Sequence, residues 1–284
     1  RVAYEPNTLS PDAPRADHAK GFASVALDEG GERGRVRAAS FADHYSQARQ
    51  FWISQSEPEQ AHLASALVFE LSKVEHPHVR EAMVAHLLVI DEALGQRVAD
   101  GLGMEALPPA ATPAQPVQDL APSVALSIID NAKDTMAGRC VGILVADGSD
   151  GAAIAALKKA VIAAGARVKI VAPRVGGVTL ANGKKLAVDG QLAGTPSVLF
   201  DAVALVLSEA AGKTLSREAA AVDFVRDAFG HLKAIATDKG AQALLMASGI
   251  EPDAGVVAVG DVQAFLSAAA TRQWAREKSV RTLA

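Results

Sequence analysis

The stretch GRCVGILVADGSDGAAIAALKKAVIAA, Gly138 to Ala164, decides the fold of the second half of the chain. Val141 to Val145 is a continuous apolar run short enough for a strand, and Asp147-Gly148 supplies a tight turn. Asp150 to Ala164 then has the length and Ala-rich composition of a helix, so strand, turn and helix follow in the order that opens a doubly wound α/β domain. In open parallel sheets ligands bind beyond the carboxyl ends of the strands, which makes Asp147, Gly148, Ser149 and Asp150 the first residues to test for chemistry.

Working outward, further strands are predicted at Arg167 to Val171, Val203 to Leu207, Ala234 to Thr237 and Val256 to Val259. They mostly alternate with helices at Arg217 to Phe229, Gly240 to Ser248 and Val262 to Lys278. Five strands with their crossovers predict a flavodoxin-like doubly wound parallel sheet. Pro173 to Gly194, with turns at Leu180 to Gly183 and Asp189-Gly190, reads as a small hairpin excursion between the second and third strands.

Upstream the period becomes helical. Phe41, Tyr45, Ala48 and Trp52 share one face; Ser56 with Glu59 forms a capping box for a helix striped by Leu63, Leu67, Leu71 and Val74. Val79, Met83, Leu87 and Ile90 make a third stripe after Pro77, and Leu94, Val98 and Leu102 a fourth, stopped by Gly101 and Gly103. Residues 40–103 are thus a small all-α module. Before it, residues 1–39 lack a period and read as an extended wrapping arm, whose Arg33, Arg35 and Arg37 suit a strand edge or subunit contact. After it, 104–123 carries Pro108, Pro109, Pro113, Pro116 and Pro122 and predicts a solvated spacer. The α/β domain is 124–284.

The formal net charge of -4 over 284 residues provides no general attraction for nucleic acid or an anionic membrane. No apolar run is long enough to span a bilayer. The single cysteine, Cys140, cannot form an internal disulfide, which fits a reducing compartment. A chain that opens on Arg1 in mid-pattern is expected to be a piece of something longer.

The run SFADHYSQARQFWISQSEPEQAHLASALVFELSKV, Ser40 to Val74, resembles the carboxyl-terminal region of large-subunit haem catalases. The likeness begins at Val2-Ala3-Tyr4-Glu5-Pro6-Asn7-Thr8-Leu9 and continues through Pro77 to Leu102. It resumes at Ser123 to Leu126, Gly138 to Gly148 and Pro196 to Val203. It implies a parent that disproportionates hydrogen peroxide to water and oxygen on haem, as a cytoplasmic homotetramer. The haem-bearing β-barrel would precede Arg1, together with the distal His and Asn and the proximal Tyr. The chain itself would then hold no cofactor or metal, would stabilise the tetramer, and would frame access to the haem. Tyr4 and Tyr45 belong to the arm and helical patterns, and His44 to packing or hydrogen bonding. The alternatives are a holdase made by apolar faces freed from the barrel and, further off, a residual hydrolase or deglycase.

The same resemblance makes the α/β domain similar to the class I glutamine amidotransferase superfamily, whose nucleophilic Cys sits on a turn after a strand. In Ile235-Ala236-Thr237-Asp238-Lys239-Gly240-Ala241-Gln242, Asp238 stands at that position and Lys239 follows, as a carboxylate paired with an ammonium. The oxyanion glycines correspond to Ser208 and Glu209, and Asp150 echoes a vestigial acid. These five positions predict a degenerate site with no catalytic residue. Cys140, at the start of a strand, is expected to pack in the core. His76 and His78 lack the neighbours that would complete a metal site.

Overall fold

The computed structural model describes residue 19 and residues 34–281, which fall into two units, Arg1–Phe41 and Ala42–Ala284. The predicted arm, with Arg33 and Tyr4, lies mostly outside the described residues. Within the first unit, residues 34–38 have no regular structure, and Arg35 and Arg37 are exposed.

The second unit begins with four helices: α1 (Ser46–Ile53), α2 (Glu57–Ser72), α3 (Pro77–Ile90) and α4 (Glu92–Gly101). Ser56 and Glu59 form the expected capping box at the start of α2. Asp91 ends α3 and starts α4, its carboxylate accepting from the N–H groups of Ala93 and Leu94 at 3.0 and 3.3 Å. A Cβ on Gly95 would run into Leu88, so only glycine lets α4 fold back so closely. The helices share a core of Trp52, Ala64, Leu71, Val84, Leu87, Leu94 and Val98. On the third stripe Leu87 is buried and Ile90 packs against the core as expected, but Met83 is 40 % exposed and Val84, not expected on the stripe, is fully buried. Phe41, expected on the first stripe, is exposed as well.

Residues 104–123 are extended, as their prolines dictate, but they are not a free spacer. Ala111 N–H donates to Ala85 O at 3.0 Å, Gln118 N–H to Ser46 Oγ at 2.7 Å, and Ser123 N–H to Ser54 Oγ at 2.9 Å. Gln50 of α1 donates to Ala121 O, and Gln55, just past the helix, to Leu126 O. The segment is a strap, because an extended chain leaves its backbone donors and acceptors open to side chains of the helices beneath it.

The α/β part holds β1 (Cys140–Val145), α5 (Gly151–Ala163), β2 (Arg167–Ala172), β3 (Val178–Thr179), β4 (Lys185–Leu186), β5 (Gly190–Gln191), β6 (Ala202–Val206), α6 (Glu209–Leu215), α7 (Ala219–Gly230), β7 (Ile235–Thr237), α8 (Gln242–Ala247), β8 (Val256–Ala258), α9 (Val262–Ala269) and α10 (Glu277–Val280). Six strands make one all-parallel sheet, in the order β5-β2-β1-β6-β7-β8. β3 and β4 pair antiparallel as the expected hairpin. Every residue of β1 is buried, because successive side chains enter opposite layers. Val141, Ile143 and Val145 pack with Leu157 of α5 and Phe265 of α9; Cys140 and Leu144 pack with Phe224 of α7 and Leu244 of α8.

Three elements differ from expectation. The two-residue strand β5 adds a sixth member to the sheet, and helix α6 follows β6 directly. The helix expected from Val262 to Lys278 stops at Ala269, because Gln273 N–H donates to Leu232 O rather than continuing the helix. The chain turns there to place Arg276, with a fully buried side chain, against Asp253 at 2.6 Å. The same guanidinium donates to Phe229 O and Lys233 O, and lies 3.8 Å from the centre of the Phe229 ring.

Candidate functional site

The parallel sheet puts the ends of β1, β6 and β7 side by side, and each is followed by a polar residue that caps the next helical turn. After β1, Asp150 accepts from Ala152 N–H at 2.8 Å and Ala153 N–H at 3.3 Å, capping α5. After β6, Ser208 Oγ accepts from Ala211 N–H at 3.3 Å and donates to Asp147 O at 3.0 Å. After β7, the Asp238 carboxylate accepts from Leu207 N–H at 2.8 Å and Ala241 N–H at 3.0 Å.

The turn after β1 is closed by its neighbours. Gly148 has φ +83°, a left-handed conformation that glycine adopts without strain, and a Cβ there would lie 3.0 Å from Ser208 Oγ. Ser149 is wholly buried, with its hydroxyl accepting from Ala146 N–H and donating to Val206 O. The hairpin sits on the same turn: Thr179 N–H donates to Asp147 Oδ1 at 2.8 Å, and Gly148 N–H to Thr179 O at 2.8 Å.

Asp150, Asp238 and Lys239 line one open groove of about 580 Å³ with Gln242 and Val257. Asp147 lines a smaller pocket of about 320 Å³ with Arg174 and Thr214. Ser208 and Glu209 line neither of these two. No ion pair joins Asp238 to Lys239, correcting the expected pairing; Lys239 is exposed and Asp238 turns to the backbone instead. Burial pushes the Asp238 carboxyl above its usual range, opposed by the hydrogen bonds from Leu207, Ala241 and Gly240.

Two backbone N–H groups at these turns are engaged by Asp238. An oxyanion site needs N–H groups free to face developing charge, and the carboxylate of Asp238 already holds two. Glycine packing seals the region further, since a Cβ on Gly240 or on Gly212 of α6 would collide with backbone oxygens of Leu207 or Gly240 respectively. What the geometry does is terminate strands and start helices.

Cys140 is 8 % exposed at the amino end of β1, away from these turns, and its N–H donates to Asp201 Oδ2 at 2.9 Å. Burial pushes its thiol up, away from the reactive thiolate. His44 is exposed and meets the Tyr45 ring edge-on at 6.3 Å. Tyr45 is buried, and its hydroxyl contacts His86 Nδ1 at 2.7 Å. The rings of His76 and His78 are 5.8 Å apart, and no group of three possible metal ligands occurs among the described residues. No helix among them is long and apolar enough to cross a membrane.

Sequence reasoning identified Glu59 only as a cap. In the fold it accepts hydrogen bonds from Ser56 N–H and hydroxyl, the Ser127 hydroxyl, and the N–H groups of Ile128 and Ile129. Burial raises its pKa, but the bonds from Ser56, Ser127 and Ile129 outweigh that and bring it to about 2. Apart from Ser56, its partners lie about seventy residues away, beyond any local pattern.

Two family models match the chain. Residues 38–102 match the model described as catalase-related immune-responsive, and residues 137–272 the C-terminal domain found in long catalases. Catalase C of Rhizobium meliloti is 49 % identical over 288 residues, covering 99 % of this chain and 41 % of the relative. Catalase HPII of Pseudomonas aeruginosa is 38 % identical, covering 90 % and 36 %, and Catalase-B of Dictyostelium discoideum 31 %, covering 98 % and 42 %. The chain belongs to the long catalases, as their carboxyl-terminal region. It spans about two-fifths of the length of these relatives.

Proposed function

We propose that this chain is the non-catalytic carboxyl-terminal part of a large-subunit catalase, whose parent disproportionates hydrogen peroxide on haem. The observation that carries the reading is the similarity along nearly the whole chain to proteins named as catalases, combined with strand-end carboxylates that cap helices. The described residues do not fit a haem. Tyr45, their tyrosine, is buried with its hydroxyl on His86, and no step is assigned to haem within this chain.

Residues 1–39 are assigned to a wrapping arm, 40–103 to the helical domain, 104–123 to the connecting strap, and 124–284 to a flavodoxin-like, amidotransferase-like domain. The strand order β2-β1-β6-β7-β8, which is 2-1-3-4-5 among the five core strands, supports the flavodoxin-like assignment. Its role is to stabilise a cytoplasmic homotetramer and frame the route to the haem of the parent's barrel.

Two experiments test this. Residues 1–284 incubated with haem should give no Soret band of a ligated haem and no peroxide turnover above free haem; appearance of both would place catalytic groups in this chain. The parent truncated before residue 124 should keep its turnover per haem and lose heat resistance as a tetramer. An unchanged inactivation temperature would remove the stabilising role.

A further inference from the structure

The helical part and the sheet domain have separate hydrophobic cores. The core of α1–α4 ends with Met104, and the cores on the two faces of the sheet begin at Met136 and Cys140. Of the connection between them, the strap and Ser127 to Ile129 are tied to the helices, while residues 130–135 are exposed. The C-terminal segment touches both parts. On its inner side Arg276 is bound to Asp253 and to the carbonyls of Phe229 and Lys233, and Val280 packs against the core that holds Phe224. On its outer side it reaches the amino half of α2. There Glu277 Oε1 contacts His62 Nε2, the Trp274 and His62 rings lie 6.5 Å apart, and Lys278 Nζ is 3.2 Å from Glu57 Oε1.

We propose that this segment is a clasp that couples the two domains, with the contact between His62 and Glu277 as its catch. The two outer pairs are unequal. Lys278 and Glu57 are both exposed, and such a pair contributes little. The Glu277 side chain is 7 % exposed, and its donors meet on one oxygen: His62 from α2, and Arg281 Nε at 2.6 Å from its own segment. His62 donates as the cation or as the neutral ring protonated on Nε2. Glu277 Oε2 is buried with no hydrogen-bond partner, so the carboxylate depends on those two donors. Without His62 the closed arrangement leaves a buried charge on Arg281 alone, whereas separation of the domains returns that carboxylate to water. Closed, the clasp makes helices and sheet one cooperative unit; with the catch removed, they part across residues 130–135 and unfold independently.

The test reads each core with one thiol in the 284-residue chain. Cys140 reports the sheet domain, and Ala64→Cys, a small change at a buried position of α2, reports the helices. Pulse labelling across a urea series, resolved by peptide mass spectrometry, gives a midpoint for each thiol. In this background the two midpoints should coincide. Gln60→Ala, which removes a hydrogen bond to Trp52 O inside the helical part, should lower both together. His62→Ala keeps the fold, since the His62 side chain is 40 % exposed on a helix and alanine is the better helix former. It should nevertheless separate the midpoints, and between them one thiol should label at least about tenfold faster than the other, the factor expected for loss of a hydrogen bond to a charged group. Midpoints that already differ in the A64C chain, that separate on adding Q60A, or that still coincide on adding H62A would each overturn the proposal.

Discussion

Replacing Glu59 by Gln tests what joins the helical part to Ser127–Ile129, just past the strap. The change is nearly isosteric but leaves one acceptor oxygen where the carboxylate has two. In the native geometry Oε2 accepts from Ser56 N–H and from the Ser56 and Ser127 hydroxyls, and Oε1 from the N–H groups of Ile128 and Ile129. The hydroxyls can rotate to face a carboxamide NH2, but backbone N–H groups cannot. Whichever way the amide is turned, at least one N–H meets another donor, and the remaining bonds lose their charge. Such a loss costs about 2 kcal/mol, and for a unit of this size that lowers the melting temperature by roughly 4–8 °C.

The acid side of the same group gives an independent figure. A carboxyl with a folded pKa of about 2, against 4.5 for the unfolded chain, contributes stability that is present above 4.5 and lost as pH falls towards 2. Fully transmitted, that difference would be roughly 3 kcal/mol; partial exposure of Glu59 to solvent reduces it to about 1–2 kcal/mol. Thermal unfolding followed by circular dichroism at pH 7, 5, 4 and 3 measures both quantities. The E59Q chain should melt lower at pH 7, and its deficit should shrink as the pH falls. A melting temperature within about 1 °C of wild type, or a deficit that stays constant with pH, would refute the idea that the Glu59 charge holds the segment after the strap.

Asp238→Ala should destabilise by about 1–2 kcal/mol through loss of two backbone contacts, read by denaturant midpoint. Because its folded carboxyl is raised by burial, its titration acts oppositely to that of Glu59: that contribution is present below the unfolded value and is lost as pH rises through the folded one. Arg276→Met should cost about 3–5 kcal/mol, since it leaves Asp253 and the carbonyls of Phe229 and Lys233 without their shared donor; a melt unchanged from wild type would show the site is not structural. Cys140 should react with a thiol reagent slowly in the native chain and rapidly in denaturant, and equal rates would contradict its burial.

What could be read before the coordinates depended on how many layers bury a segment. β1 and β6 are covered on both faces, so Val141 to Val145 and Val203 to Leu207 appear as unbroken apolar runs. β5 is two residues at the sheet edge, aligned by Asp189, whose carboxylate accepts from Ile170 N–H at 2.7 Å; it has no apolar run to detect. In α6, only Gly212 and Leu215 are buried, too few for a helical stripe. The end of α9 was hidden for a different reason: its composition is compatible with continuing, and the competing acceptor, Leu232 O, belongs to another segment of the chain.

The strand-end site shows the same division between residue type and geometry. Asp150 was legible from the turn after the first strand, and Ser208 and Asp238 only through the superfamily resemblance, but the roles of all three follow from the directions of nearby N–H groups. A carboxylate after a parallel strand faces two uses for those donors: it can leave them open to a ligand, or accept from them itself. Asp238 accepts from them, and beside it α6 through Gly212 and the following turn through Gly240 leave no room for a Cβ between backbone segments. Asp238→Cys would remove the acceptor that both N–H groups share while the packed glycines stay in place, so the variant is expected to unfold at lower denaturant without gaining esterase activity; a rate of ester hydrolysis above wild type would contradict this.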